Sequence, residues 1–163
     1  MFPEDIQTLA RRVIDAAAAR ELSIATAESC TGGLVAGALT AIAGSSAVVE
    51  RGFVTYSNGA KTEMLGVSGD LIEAVGAVSE PVARAMAVGA LARSRADVSV
   101  SVTGIAGPGG GSEDKPVGLV HFAAVGPAGG LHVERRFGDI GREAVRLESV
   151  RTALGLLLDR VGA

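Results

Sequence analysis

Ser29 and Lys61, 32 positions apart in a chain of 163 residues, have the side chains best suited to covalent chemistry. A serine hydroxyl becomes a useful nucleophile only when a nearby base takes its proton, and the sequence offers Lys61, His121 and His132 for that task. Lys61 and Lys115 are the only two lysines. A lysine amine buried near another cation loses its proton near neutral pH and can accept one from serine, whereas a lysine in water stays charged. Ser29 lies in AESCTGG (27–33), where an apolar run breaks before a helical period resumes. There Cys30, Thr31, Gly32 and Gly33 would aim backbone amides at an oxyanion or an anionic group. The plain alternative is that Ser29 or Thr31 only caps the following helix. Ala27 and Thr31 stand where a GxSxG nucleophile elbow has glycines, so that motif is not met. His121 and His132 lie on adjacent apolar segments without the spacing of a zinc protease, and they read as structural rather than as part of a Ser/His/Asp triad.

A second segment, TGIAGPGGGSEDKPVG (103–118), is too rich in glycine for ordinary core. It lacks the GxxxxGK[ST] phosphate loop, and it precedes a strand where a dinucleotide fingerprint would open a helix, so ATP and NAD sites are poorly supported. Two readings remain. Its glycines bring backbone amides close to one phosphate or carboxylate, with Thr103 and Lys115 nearby, or the segment is a surface loop. The SxxK spacing of Ser112 and Lys115 has no helical period around it and is read as coincidence.

Several elements must hold these residues. Helical spacing of Ile6, Leu9, Ala10, Val13, Ile14 and Ala17 predicts a helix over 4–20, with Glu4 and Asp5 in its first turn. Residues 22–27 predict a strand, 34–42 a helix, 47–56 a strand, and Ser57 or Asn58 caps a short helix reaching Leu65. A loop at 66–69 precedes the helix that Ser79, Glu80 and Pro81 open, which should reach about Arg95. Alternating valines in DVSVSVT (97–103) predict a strand with unlike faces. GPAGG (126–130) joins strands 117–125 and 131–137 in an antiparallel hairpin, and the last helix covers about 141–161. Strands interspersed with helices predict an α/β fold with a mixed, mainly parallel sheet covered on both faces. Because sites in such sheets gather beyond strand carboxyl ends, the loops at 27–33, 56–61 and 103–118 should converge.

Composition narrows the function classes. Hydrophobic residues make up 48% and charged residues 20%, which suits one compact domain over 1–163. A net charge of −3, no Trp and 3% aromatic residues disfavour a nucleic-acid partner. No apolar stretch approaches a membrane span, and MFPEDIQTLARR has no apolar signal core, so the chain is expected in the cytoplasm. Cys30 is the only cysteine, excluding internal disulfides and cysteine-based zinc, and no metal site is expected.

In order, AESCTGG (27–33), YSNGAK (56–61), GAVSE (76–80), TGIAGPGGG (103–111) and KPVGLVHFA (115–123) resemble the CinA C-terminal domain family, over nearly the whole chain. The resemblance implies a three-layer α/β/α sandwich, usually oligomeric (dimer or higher), that hydrolyses the carboxamide of nicotinamide mononucleotide (NMN) without a metal or organic cofactor. On matching positions it implies Ser29 as nucleophile, Lys61 as base and Tyr56 beside them. Thr31, Gly32 and Gly33 would bond the reacting amide, while Thr103, Gly107, Gly109 and Gly110 contact the nucleotide. Arg142 would bind phosphate or keep Lys61 neutral. Ile140 and Gly141 extend the family's usual GDR sequence by two residues, which bears on that last assignment. A catalytically inactive nucleotide-sensing or protein-interaction module is the alternative that the same fold allows.

Overall fold

The computed structural model describes residues 1–162. The elements are α1 (Glu4–Ala19), β1 (Ile24–Glu28), α2 (Leu34–Thr40), β2 (Val49–Val54), α3 (Asn58–Leu65), α4 (Gly69–Val75), α5 (Glu80–Ala92), β3 (Val98–Gly104), β4 (Leu119–Gly126), β5 (Gly129–Arg136) and α6 (Arg142–Gly162). They form one five-stranded sheet in the order β2-β1-β3-β4-β5. Strands β2, β1 and β3 run parallel, β4 runs against β3, and β5 runs against β4.

Alternation along the strands divides the core. Ile24 of β1, Val98, Val100 and Val102 of β3, and Phe122 of β4 face α1, α2 and α6. Ala27 of β1 faces the opposite layer, where Leu65, Ile72, Val82 and Met86 of α3, α4 and α5 pack. The three-layer sandwich follows, because a sheet with two apolar faces needs a helical cover on each.

Strand β3 is buried along nearly its whole length, so its polar face meets α5 instead of water. Ser99 Oγ donates to the Ala87 carbonyl at 2.7 Å and Ser101 Oγ to the Ala83 carbonyl at 2.6 Å. The alternation predicted two unlike faces, and hydrogen bonds to the helix satisfy the polar one. Small residues let that helix approach closely. At Gly89 a Cβ would come within 2.0 Å of the Leu65 carbonyl oxygen of α3.

Two local features differ from the sequence expectation. Gly126 pairs with Gly129, leaving a two-residue turn at Pro127 and Ala128 where a five-residue linker was expected; Gly129 makes this possible with φ +104°. Helix α4 was not anticipated: its seven residues are too few for a visible period, although Ser68 caps it by accepting from the Leu71 amide.

His121 and His132 form a pair on the hairpin, with Nδ1 and Nε2 2.8 Å apart and the rings stacked at 5.1 Å. Their outer nitrogens face Glu134 of β5 and Glu80 of α5, and Arg84 and Lys115 lie within electrostatic reach. Burial, foremost, holds both rings below the ordinary histidine range, and for His121 the neighbouring ring adds to this. The unfolded chain therefore binds more protons just below pH 6.5, and stability contributed by the pair is lost as pH falls through that region. Thermal melts of the wild type and of His132→Gln should show this. The wild type should lose about 3 °C more in Tm between pH 7.5 and pH 5 than the variant does.

Candidate active site

Parallel β1, β2 and β3 release the chain along the same edge of the sheet, which brings the three loops together. Ser29, one residue beyond β1, is mostly buried. Lys61 sits in the first half of α3, whose N-terminus Ser57 caps by accepting from the Ala60 amide at 3.0 Å. The lysine is fully buried at 1% exposure, and its Nζ lies 3.0 Å from Ser29 Oγ. It also donates to the carbonyls of Thr55 at 2.9 Å and Tyr56 at 3.4 Å. Burial pushes the Lys61 pKa below its ordinary 10.5.

Burial favours the neutral amine, and the contacts allow it to act as a base. As the contacts stand, Nζ donates to Ser29 Oγ and to both carbonyls; once neutral, its two N–H groups can keep the carbonyls and leave the lone pair for the serine hydroxyl. Desolvation is the main cause of the lowered Lys61 pKa. Cys30 does not compete as nucleophile, because burial pushes its thiol up to about 12. Both histidines lie outside the cleft, which removes the triad reading.

Ser29 and Lys61 open into a cleft of about 280 Å³. Its lining includes Tyr56 and Arg142, Ala77 and Val78, and Thr103 through Gly107 with Gly109 and Gly110. Thr103 is buried, and its hydroxyl is committed to the Ala77 carbonyl at 2.9 Å, so it contributes shape. Arg142 opens α6 and donates to the Tyr56 hydroxyl at 3.1 Å and to the Gly107 carbonyl at 2.9 Å. The two added residues, Ile140 and Gly141, therefore leave this arginine in the cleft wall.

Thr31, Gly32 and Gly33 are placed differently from the expectation. None lines the cleft. Thr31 is fully buried, and its hydroxyl donates to Glu28 Oε1 at 2.6 Å. The Gly32 amide is taken by the Ser29 carbonyl. The amides of Val35 and Ala36, in the first turn of α2, go to the Glu28 carboxylate at 2.8 and 3.0 Å. A buried carboxylate satisfies this helix end from within, so these first-turn amides are not available to a bound oxyanion.

Sequence reasoning missed Glu28, Asn58 and Arg146. Asn58 lines the cleft, and its place between Tyr56 and Lys61 was the available signal. Glu28 is 1% exposed, and an acid ending an apolar strand just before a helix was its signal. Arg146 donates through Nε to the Cys30 carbonyl at 3.1 Å and through Nη2 to the Thr31 carbonyl at 3.3 Å. Its spacing of four from Arg142 puts both on one face of α6.

Comparisons with known proteins follow the same lines. The model of the CinA C-terminal domain matches residues 6–161. A nicotinamide-nucleotide amidohydrolase PncC of Escherichia coli K12 is 50% identical over 157 residues, which cover 96% of this chain and 95% of that protein. A CinA-like protein of Synechococcus sp. RCC307 is 52% identical over 157 residues, 96% of this chain, but these span only 38% of its length. The crystal structure of a competence/damage inducible protein of Agrobacterium tumefaciens superposes with a TM-score of 0.96 at 61% identity, covering 98% of this chain and 97% of that one.

Proposed function

The chain belongs to the CinA C-terminal domain family, and from that premise we propose that it hydrolyses the carboxamide of NMN to nicotinic acid mononucleotide and ammonia. The observation that carries this reading is the buried Lys61 amine 3.0 Å from Ser29 Oγ, at the floor of a cleft with a cationic wall. A cleft of about 280 Å³ lies just below the ~300 to 1,000 Å³ of ordinary ligand sites and suits a mononucleotide better than a dinucleotide.

In this mechanism Lys61 takes the Ser29 proton as Oγ attacks the carboxamide carbon. The tetrahedral adduct collapses, the C–N bond breaks, and the lysine returns its proton to the leaving ammonia. Water then attacks the Ser29 ester, again with Lys61 as base, and releases the carboxylate. Tyr56, its hydroxyl fixed by Arg142, stands beside the reacting groups. The backbone at Gly107, Gly109 and Gly110 and the guanidinium of Arg142 offer partners to the ribose phosphate. A cytoplasmic homo-oligomer, with 1–163 acting as one catalytic domain, completes the reading. Exposed Val54, Tyr56 and Ile140 near the cleft support association.

Purified protein incubated with NMN should release ammonia and nicotinic acid mononucleotide in equal amounts, followed by chromatography. A rise in Tm with NMN left unconsumed would instead identify a ligand-sensing module. Arg142→Ala should raise KM for NMN by about 10-fold while lowering kcat less. Steady-state kinetics with nicotinamide riboside provides the control. Lacking the phosphate, that substrate should respond much less to the substitution, and an equal response would take Arg142 away from phosphate binding.

A further inference from the structure

The first two turns of α6 touch all three loops of the site. Arg142 reaches the Tyr56 hydroxyl after β2 and the Gly107 carbonyl after β3. Arg146, one turn later, reaches the Cys30 and Thr31 carbonyls after β1. Only Arg142 lines the cleft, so Arg146 acts on the nucleophile segment from behind.

We infer that Arg146 is a positioning residue that holds the Ser29 turn in its reactive alignment; the inference rests on the amidohydrolase reading above. Its fork binds two successive peptide carbonyls immediately after the serine, and a trans peptide then fixes the following amides on the side away from the arginine. The Gly32 amide follows this geometry, since it turns back onto the Ser29 carbonyl. Gly32 lies against the guanidinium, where a Cβ would just touch Arg146 Nη2 at 3.4 Å, and its φ of +57° is one that side chains resist. On the opposite side Glu28 ties down Thr31, Val35 and Ala36. The turn is thus clamped from both sides, and Arg146 supplies the only one of these ties that comes from another helix. Loss of this clamp loosens the approach of Oγ to both Lys61 and the substrate carbon, and small misplacements of reacting groups lower rates steeply.

The test compares the wild type, Arg146→Met and Arg146→Lys in two assays. One is steady-state turnover of NMN. The other is labelling by a fluorophosphonate, in which Ser29 Oγ forms a bond to phosphorus as fluoride leaves, followed by intact-protein mass to a final stoichiometry. Arg146→Met should label to the same end point as the wild type but about 30-fold more slowly, with kcat lowered similarly and KM within about twofold. Arg146→Lys should fall between them, because a lysine can serve one carbonyl at a time. Reduced stoichiometry with wild-type labelling rate and kcat per labelled site would overturn the inference in favour of a purely structural arginine. A raised KM with unchanged kcat would overturn it in favour of substrate contact. If the wild type labels at Ser29 but leaves NMN untouched, the NMN reading falls, and the labelling rates of the variants still decide the role of Arg146. If the wild type does neither, both fall together.

Discussion

Lys61→Met should lower kcat/KM for NMN by at least about 10³-fold while leaving Tm unchanged or higher. The activity half follows from loss of the amine 3.0 Å from Ser29 Oγ. The stability half follows from burial. Lys61 is 1% exposed and among the described residues has no carboxylate partner, its contacts being carbonyls and a hydroxyl. An amine so placed destabilises the fold whenever it is protonated, and a methionine of similar length removes that cost. Loss of a donor to the Thr55 carbonyl works against this gain but is the smaller effect. Lys61→Arg should be as inactive as Lys61→Met, because a guanidinium stays protonated.

The sign of the pH dependence follows from the same burial. With its folded pKa below 10.5, Lys61 becomes neutral earlier than in the unfolded chain, so kcat/KM should rise with pH along a limb whose midpoint lies below 10.5. Between the folded and unfolded values the unfolded chain holds more protons, and stability also rises with pH there. Initial rates and melts across pH 6 to 10 should show both slopes in the wild type, and the stability slope should be weaker in Lys61→Met.

Glu28→Ala should destabilise the protein by about 3 kcal/mol or more and remove activity with it. Its carboxylate accepts from Thr31 Oγ1, Val35 N and Ala36 N in a position 1% exposed. Truncation leaves buried donors at the start of α2 without acceptors, each a penalty of about 1–3 kcal/mol, although the hydroxyl can rotate to another partner. Glu28→Gln should be milder in volume yet still harmful, because one carboxamide end presents a donor where the protein already presents donors. Urea unfolding of both variants gives the comparison. A loss under about 1 kcal/mol for Glu28→Ala would mean that water replaces the carboxylate and that the turn does not depend on it.

Much of the architecture was legible because the strands and long helices carry strong periods. The valines of β3 and the buried stripe of α1 each report a face directly. Helix α4 was hidden by its shortness, and the tight turn at Pro127 and Ala128 by two neighbouring glycines that allowed several loop lengths. For the site, Ser29, Tyr56 and Lys61 were legible as a set, and the loops that meet in the cleft were those placed after parallel strands. Thr31, Gly32 and Gly33 lie off the cleft, a placement that local pattern does not reveal. A polar turn that opens a helix looks the same in sequence whether its donors face a ligand or the protein itself, and only the fold shows the Thr31 hydroxyl and the Val35 and Ala36 amides taken by Glu28 and the Gly32 amide by the Ser29 carbonyl. Arg146 escaped notice because its target is backbone, 115 positions away at Thr31 and 116 at Cys30, which leaves no mark in local pattern.

The central claim, a covalent hydrolysis by Ser29 with Lys61 as its base, is tested most directly by quenching the reaction with NMN within its first turnovers and measuring the protein by mass. The wild type should carry the nicotinic acid mononucleotide acyl group on the peptide containing Ser29, and Ser29→Ala should carry none and release neither ammonia nor product. Turnover by Ser29→Ala at a rate near that of the wild type, with no adduct on either protein, would contradict the account.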